Sequence, residues 1–292
     1  MNYAMQIHQN ILCRSNLSGV TMLKHFTFLI LGLTFVCLTA CQKPTTDNFE
    51  SIIEAYGVSP GAATLVIKRL SDDKIWTSNS KRAELRYIPA STSKIPHTLI
   101  ALETELAAPE TLFKWDGRPR TFKSWNQDQT LITAYRRSAV WVYQEIARTL
   151  GPSVMREWLE RLDYGNADIG ADDHVTQYWL TGPLAISAQE QVDFLTKLAT
   201  HKLPLSPKTY EQARFIFQHD SQKGHTLYAK TGWMFDEDAM DIGWFVGWVE
   251  IDDPKEIYVF ALNMDMPQSG DQKKRKPIVM DALTSIGAWP DR

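Results

Sequence analysis

Residues 226–265 read TLYAKTGWMFDEDAMDIGWFVGWVEIDDPKEIYVFALNMD. Three runs within them, 226–234, 242–251 and 256–265, are dense in Val, Ile, Phe, Tyr and Trp, the residue types that suit a pleated, buried surface. Asp252-Asp253-Pro254-Lys255 separates the last two runs with turn chemistry, so those strands are expected to pair antiparallel. Toward the other end of the chain, 62–70 (AATLVIKRL) and 74–79 (KIWTSN) read as a similar pair around Ser71-Asp72-Asp73. Residues 276–287 read as a closing helix. Between the strand-rich ends, about 91–220, apolar residues recur at helical spacing: Ile95, Leu99 and Leu102, then Val142, Ile146 and Leu150, then Val192, Leu195 and Leu198. The pattern predicts a mixed α/β fold. Both chain ends form one antiparallel sheet flanked by helices, an all-helical lobe is inserted, and the cleft between lobes is the natural site.

Composition narrows the function. With 292 residues the chain can bury a sizeable core without staples, and 44% apolar against 22% charged residues is an ordinary globular balance that excludes disorder and a multispan membrane protein. Lys plus Arg number 31 and Asp plus Glu 34, a net charge of −3, so no field of either sign exists to recruit nucleic acid. The histidines after the leader, His97, His174, His201, His219 and His225, show no i,i+2 or i,i+4 pair, which leaves a zinc hydrolase unsupported. No glycine-rich phosphate loop is present. No feature of the sequence sets an oligomeric state.

The N-terminus reads as an address. Met22-Leu23-Lys24-His25 is a short positive region, and Phe26 to Leu38 is an apolar run too short for a comfortable membrane span. It ends in Leu38-Thr39-Ala40-Cys41, which resembles a bacterial lipoprotein signal. That resemblance implies removal of residues 1–40, a diacylglycerol on the sulfur of Cys41, a tether through residue 50 and a periplasmic domain over 51–292. Gln42, rather than an Asp, favours the outer membrane. Residues 1–21 read as an upstream extension, with Met1, Met5 and Met22 as candidate starts. Cys13, Cys37 and Cys41 are the only cysteines, so the domain after Cys41 has neither a disulfide nor a thiol nucleophile.

The chemistry lies in short motifs that are weak singly. A Ser three residues before a Lys on a helix shares a face with it, and a neutral Lys can then take the Ser proton. Ser-x-x-Lys occurs three times, at Ser71/Lys74, Ser78/Lys81 and Ser91/Lys94. The first two sit in polar, turn-like segments. The third follows Pro89-Ala90 and opens the apolar helix of Ile95 and Leu99, where a helix N-terminus beneath the Ser can stabilise an oxyanion. Ser-x-Val occurs at Ser18, in the leader, and at Ser138-Ala139-Val140. Lys230-Thr231-Gly232 occurs once, at the end of a strand-like run, where the small Gly lets the chain lie close to a substrate.

Order raises the signal: Ser91-x-x-Lys94, Ser138-x-Val140, Tyr164-Gly165-Asn166, Lys230-Thr231-Gly232. Together with Pro89 to Pro96, Trp115-Asp116-Gly117, Trp125-Asn126, Ser138 to Arg148, Trp179-Leu180 and Gly243 to Glu250, this resembles the class D (oxacillinase-type) β-lactamases of the penicillin-recognising serine enzymes, across roughly residues 60–288. The resemblance implies Ser91 as nucleophile and Lys94, carboxylated by carbon dioxide, as general base, with no other cofactor. It implies that the Trp179 indole supports the carboxylated lysine and that Val140 walls the base from water. Ser138 shuttles a proton toward the lactam nitrogen, and Lys230 supplies positive charge beside it. Thr231 and Arg275 bind the substrate carboxylate, and Trp233, next to Gly232, donates the second oxyanion N–H beside that of Ser91. Tyr164 and Asn166 are expected to wall and brace the site. Ser93 departs from the family, which commonly has an aromatic there, and is expected to weaken the apolar shield of Lys94. His97 is expected to have no function. The flanking Lys273, Lys274 and Lys276 read as a solvated basic face.

The implied activity is hydrolysis of β-lactam amides. A sensor or penicillin-binding domain that is acylated without turnover shares these motifs, but such sensors hang from a multispan module that the chain does not show. A cell-wall peptidase would carry Ser-x-Asn where Ser138-Ala139-Val140 stands.

Overall fold

The computed structural model describes residues 49–235 and 240–291. The leader, Cys41 and most of the tether lie outside the described residues, so the lipoprotein reading has no structural counterpart here. Eight strands are described: β1 (Ala63–Arg69), β2 (Ile75–Thr77), β3 (Leu112–Phe113), β4 (Gln129–Thr130), β5 (Gln218–Gln222), β6 (His225–Met234), β7 (Ile242–Ile251) and β8 (Glu256–Asp265). The helices are α1 (Phe49–Ala55), α2 (Ser80–Ala83), α3 (Lys94–Glu103), α4 (Leu131–Arg137), α5 (Val140–Arg161), α6 (Ala188–Ala199), α7 (Pro207–Phe217) and α8 (Arg275–Ser285). The main sheet has the order β2-β1-β8-β7-β6-β5, antiparallel throughout, and β3 and β4 form a separate ribbon. Strands from the two ends of the chain are neighbours in the sheet, where Leu65 of β1 sits opposite Leu262 of β8.

Period-two alternation sorts the strands between two cores. Leu65 and Ile67, Phe245 and Val249, and Phe260, Leu262 and Met264 face a core shared with Phe49 and Ile53 of α1 and Ile278, Val279 and Leu283 of α8. Val66, Trp244, Val246, Trp248, Val259 and Ala261 face the helical lobe. A sheet covered on both faces needs no polar side, which explains the nearly unbroken apolar run of β7. Ser187 opens α6 with a reciprocal capping pair to Glu190, and Thr130 opens α4 in the same manner with Thr133. Helix α5 is interrupted at Gly151 (φ +80°), after which Pro152 restarts it.

Two details depart from the sequence reading. Ser91 does not lie on an α-helix: Ala90–Ser93 form a 3-10 turn, and α3 begins at Lys94. The edge strand β5, whose residues are mostly exposed and polar, carries no apolar alternation by which it could have been found.

Candidate active site

The turn that carries Ser91 is held from both sides. Ala90 occupies the left-handed region (φ +48°), uncommon for a residue with a Cβ, and this kinks the chain into the 3-10 turn. The hydroxyl of Thr92 donates to the Pro89 carbonyl (2.8 Å) and that of Ser93 to the Ala90 carbonyl (2.7 Å). The amide of Gln191 on α6 donates to Thr92 Oγ1 (3.0 Å) and to the hydroxyl of Tyr164 (3.3 Å). Ser93, expected to loosen the shield, is fully buried and spends its hydroxyl on the backbone.

Lys94 Nζ lies 3.0 Å from Ser91 Oγ. The lysine is completely buried, and its ammonium is destabilised first by desolvation and then by the charge of Lys230, which push its pKa well below the ordinary value. The amine therefore tends to neutrality and can accept a proton. Its Nζ sits 5.1 Å from the ring centroid of Tyr143.

Strand β6 brings the second wall. A Cβ at Gly232 would stand 2.9 Å from the Pro89 carbonyl and 3.0 Å from Thr92 Cγ2, so the absence of a side chain lets β6 pack directly on the nucleophile turn. Lys230 shares the face of Tyr228 and Gly232, toward the helical lobe. It is 5% exposed, donates to the Thr231 carbonyl (3.0 Å) and lies 5.7 Å from the ring centroid of Tyr135. Burial, reinforced by Arg275, lowers its pKa to about 7. Ser138 caps α4 in a left-handed conformation (φ +57°), its N–H donating to the Tyr135 carbonyl. Its hydroxyl is buried with no partner among the described residues.

Arg275, at the start of α8, is 8% exposed and reaches across β7, donating from Nε to the Gln272 carbonyl (2.8 Å) and from Nη1 to the Gly232 carbonyl. Burial lowers its pKa only to about 10, so it remains cationic at neutral pH. Among the described residues Lys94, Lys230 and Arg275 form no ion pair with a carboxylate. Buried basic groups without counter-charge mark a place that receives an anion. Lys230 and Thr231 line a cavity of about 580 Å³ with Arg136 and His219, and Trp233 lines another of about 610 Å³ with Met240, Met266 and Gln272.

The remaining expected residues fall as follows. Trp179 is fully buried and its indole N–H has no partner among the described residues. Val140 opens α5 and is half-buried. Asn166 braces its loop, donating to the Pro183 carbonyl (2.8 Å) and accepting from the Ala185 N–H (2.9 Å). The indole N–H of Trp233 donates to Asp241 (2.8 Å). Of the basic face, Lys274 pairs with Asp271 (2.9 Å) and Lys276 lies near Asp220 (3.8 Å). The other two Ser-x-x-Lys pairs have structural work: Ser78 accepts from the Leu65 N–H (2.9 Å), and Ser71 lies in the β1–β2 turn. Sequence reasoning did not single out Tyr143, whose ring centroid lies 5.1 Å from Lys94 Nζ, or Tyr178, whose hydroxyl lies 2.5 Å from Nε2 of His97. His97, for which no function was expected, stands three residues after Lys94 on the same helix and is fully buried.

Comparison with known proteins gives the family. The family model described as the penicillin binding protein transpeptidase domain matches residues 46–284. The chain is 37% identical to the β-lactamase OXA-20 of Pseudomonas aeruginosa, over 92% of this chain and 99% of that one. It is 42% identical to the β-lactamase OXA-48 of Klebsiella pneumoniae, over 71% of this chain and 77% of the other. Among solved structures, the class D β-lactamase YbXI from Nostoc superposes with a TM-score of 0.78 at 32% identity, covering 82% of this chain and 98% of its own. FUS-1 (OXA-85), a class D β-lactamase from Fusobacterium nucleatum subsp. polymorphum, gives a TM-score of 0.77 at 38% identity, covering 82% and 97%.

Proposed function

The chain belongs to the penicillin-binding-protein transpeptidase family and within it to the class D β-lactamases, and from that membership we propose how its own side chains carry the reaction. The protein is a β-lactamase that hydrolyses penicillin-type substrates as a serine enzyme. The observation that carries the assignment of roles is the 3.0 Å contact between the Ser91 hydroxyl and the fully buried Lys94 amine.

Arg275 and Thr231 receive the substrate carboxylate, Lys230 adds positive charge, and the lactam carbonyl comes to rest against Ser91. The Ser91 oxygen attacks that carbon while its proton passes to the side of Lys94. The N–H groups of Ser91 and Trp233 hold the developing oxyanion. The C–N bond of the four-membered ring breaks, and the lactam nitrogen takes a proton through Ser138, whose hydroxyl has no competing partner among the described residues. Water then attacks the ester and frees Ser91.

The lysine environment fits a carboxyl group. Carboxylation joins the lysine nitrogen to the carbon of carbon dioxide with loss of one proton, so it needs the neutral amine that burial favours. The unpartnered Trp179 N–H is a buried donor for the carboxylate formed. Carboxylated, Lys94 supplies a general base for both acylation and deacylation.

Stopped-flow turnover of a chromogenic β-lactam with mass spectrometry tests the scheme. Ser91→Ala is expected to abolish the covalent adduct, and labelling that persists at another residue overturns the assignment. A burst without turnover would make the protein an acylated binder. The sequence around Cys41 supports a lipid-anchored periplasmic protein of the outer membrane. Cys41→Ser is then expected to release it into the soluble fraction, and retention with the membranes would contradict the anchor.

A further inference from the structure

His97 is one turn along α3 from Lys94 and fully buried. Its Nε2 lies 2.5 Å from the Tyr178 hydroxyl, and its buried Nδ1 has no partner among the described residues. The imidazole meets three aromatic rings. It lies edge-to-face on Trp179 (centroids 4.6 Å, 80°) and on Tyr178 (5.6 Å, 79°), and near-parallel to Tyr143 (6.2 Å, 28°). The Tyr143 ring lies 5.1 Å from Lys94 Nζ, and its hydroxyl is tied to Thr98 (2.9 Å). Tyr178 and Trp179 also meet edge-to-face (4.9 Å, 81°).

Filling space does not explain this residue. An apolar side chain of similar size would pack among these rings without leaving a buried ring nitrogen unpaired, which is costly. What an imidazole adds is a fixed orientation. The hydrogen bond to Tyr178 pins one end of the ring, and the edge-to-face contacts set its plane. The ring so fixed is the nearest aromatic neighbour of the Trp179 indole, whose N–H is itself buried and unpartnered.

We propose that His97 is a positioning residue for the lysine base: clamped by Tyr178, it holds the Trp179 indole at the angle that presents its N–H to a carboxyl group on Lys94. This rests on the carboxylation reading above and assigns a role to a side chain that reading does not use. The role resembles that of outer-shell groups that orient ligands in metal sites.

The test is titration of the purified protein with 13C-labelled bicarbonate, following the carbamate carbon by NMR, alongside thermal unfolding. His97→Leu is expected to raise the bicarbonate concentration for half-saturation about tenfold, as loss of an orienting outer-shell partner does. Tyr178→Phe, which removes only the clamp, is expected to raise it by a smaller factor and to report alone where His97→Leu fails to fold. A carbamate signal that saturates in both variants as in wild type, with only the unfolding temperature lowered, overturns the proposal and leaves His97 as packing. Absence of any carbamate signal in the wild type overturns the carboxylation reading first, and the two failures are thereby distinct.

Discussion

The Cβ that Gly243 lacks would stand 2.9 Å from Cδ of Arg275, so the guanidinium reaches the Gly232 carbonyl across a position of β7 that carries no side chain. Gly243 pairs with Trp233 in the β6–β7 ladder, which places this passage beside the residue expected to supply an oxyanion N–H. A glycine in a central strand weakens it, and here the gain is a passage for the buried Arg275 guanidinium to β6.

Gly243→Ala is expected to displace Arg275 and raise KM for substrates that carry a carboxylate, lowering kcat/KM about tenfold, or about 1.4 kcal/mol. Arg275→Ala should produce a similar loss, and the double variant should be little worse than either single one because the two act through one contact. Steady-state kinetics on the four proteins checks this. Additive losses would mean that Gly243 acts through Met266, whose sulfur the new Cβ would also crowd at 2.6 Å.

Gly232→Ala should act on kcat. The added Cβ meets the Pro89 carbonyl, backbone that cannot swing aside as a side chain can, so β6 must lift from the turn that holds Ser91. Losing the alignment of one oxyanion donor lowers kcat by roughly a hundredfold. Circular dichroism should stay that of the wild type, and an unchanged kcat would show that the turn and the strand move together.

Acid stability should depend on His97. Desolvation, with the charge of Lys94, lowers its folded pKa from 6.5 to about 3. Between those values the unfolded chain binds the proton first, so unfolding is favoured progressively as pH falls from 6.5 toward 3. The group contributes nothing to the pH slope above 6.5. Urea unfolding across this range should show the wild type losing up to a few kcal/mol of stability relative to His97→Leu as pH falls. Parallel curves would show that the proton is taken up elsewhere.

Glu250 holds a partly buried network on the lobe side of the sheet. Its carboxylate accepts from both Nη atoms of Arg214, with Nη2 at 2.7 Å, and from the indole N–H of Trp248 at 2.9 Å, while Arg214 also donates to the Tyr228 hydroxyl at 2.7 Å. Arg214 is 40% exposed, which moderates the ion pair, so Glu250→Gln is expected to cost about 1–2 kcal/mol. Denaturant midpoints check the value, and activity should be retained because none of these residues touches Ser91 or Lys94.

Much of the fold was legible because its signals are local. The strands at 226–234, 242–251 and 256–265 announce themselves by composition and turn residues, and the structure gives β6, β7 and β8 within one residue of those bounds. The edge strand β5, the ribbon of β3 and β4, and the 3-10 turn under Ser91 were not legible, since each is short and held by neighbours rather than by its own pattern. Ser91 and Lys94 were legible as a pair because only two residues of chain separate them. Gly243 and Arg275 were not, because their relation crosses two elements.

By itself the sequence determined which residues can do chemistry: the order of the serine and lysine motifs, and the periodicities that set a two-faced sheet against a helical lobe. Only the tertiary structure decided their state. The depressed pKa values of Lys94 and Lys230 and the aromatic enclosure of His97 all follow from burial. Burial is a property of what packs around a side chain from distant parts of the chain, and no local pattern carries it.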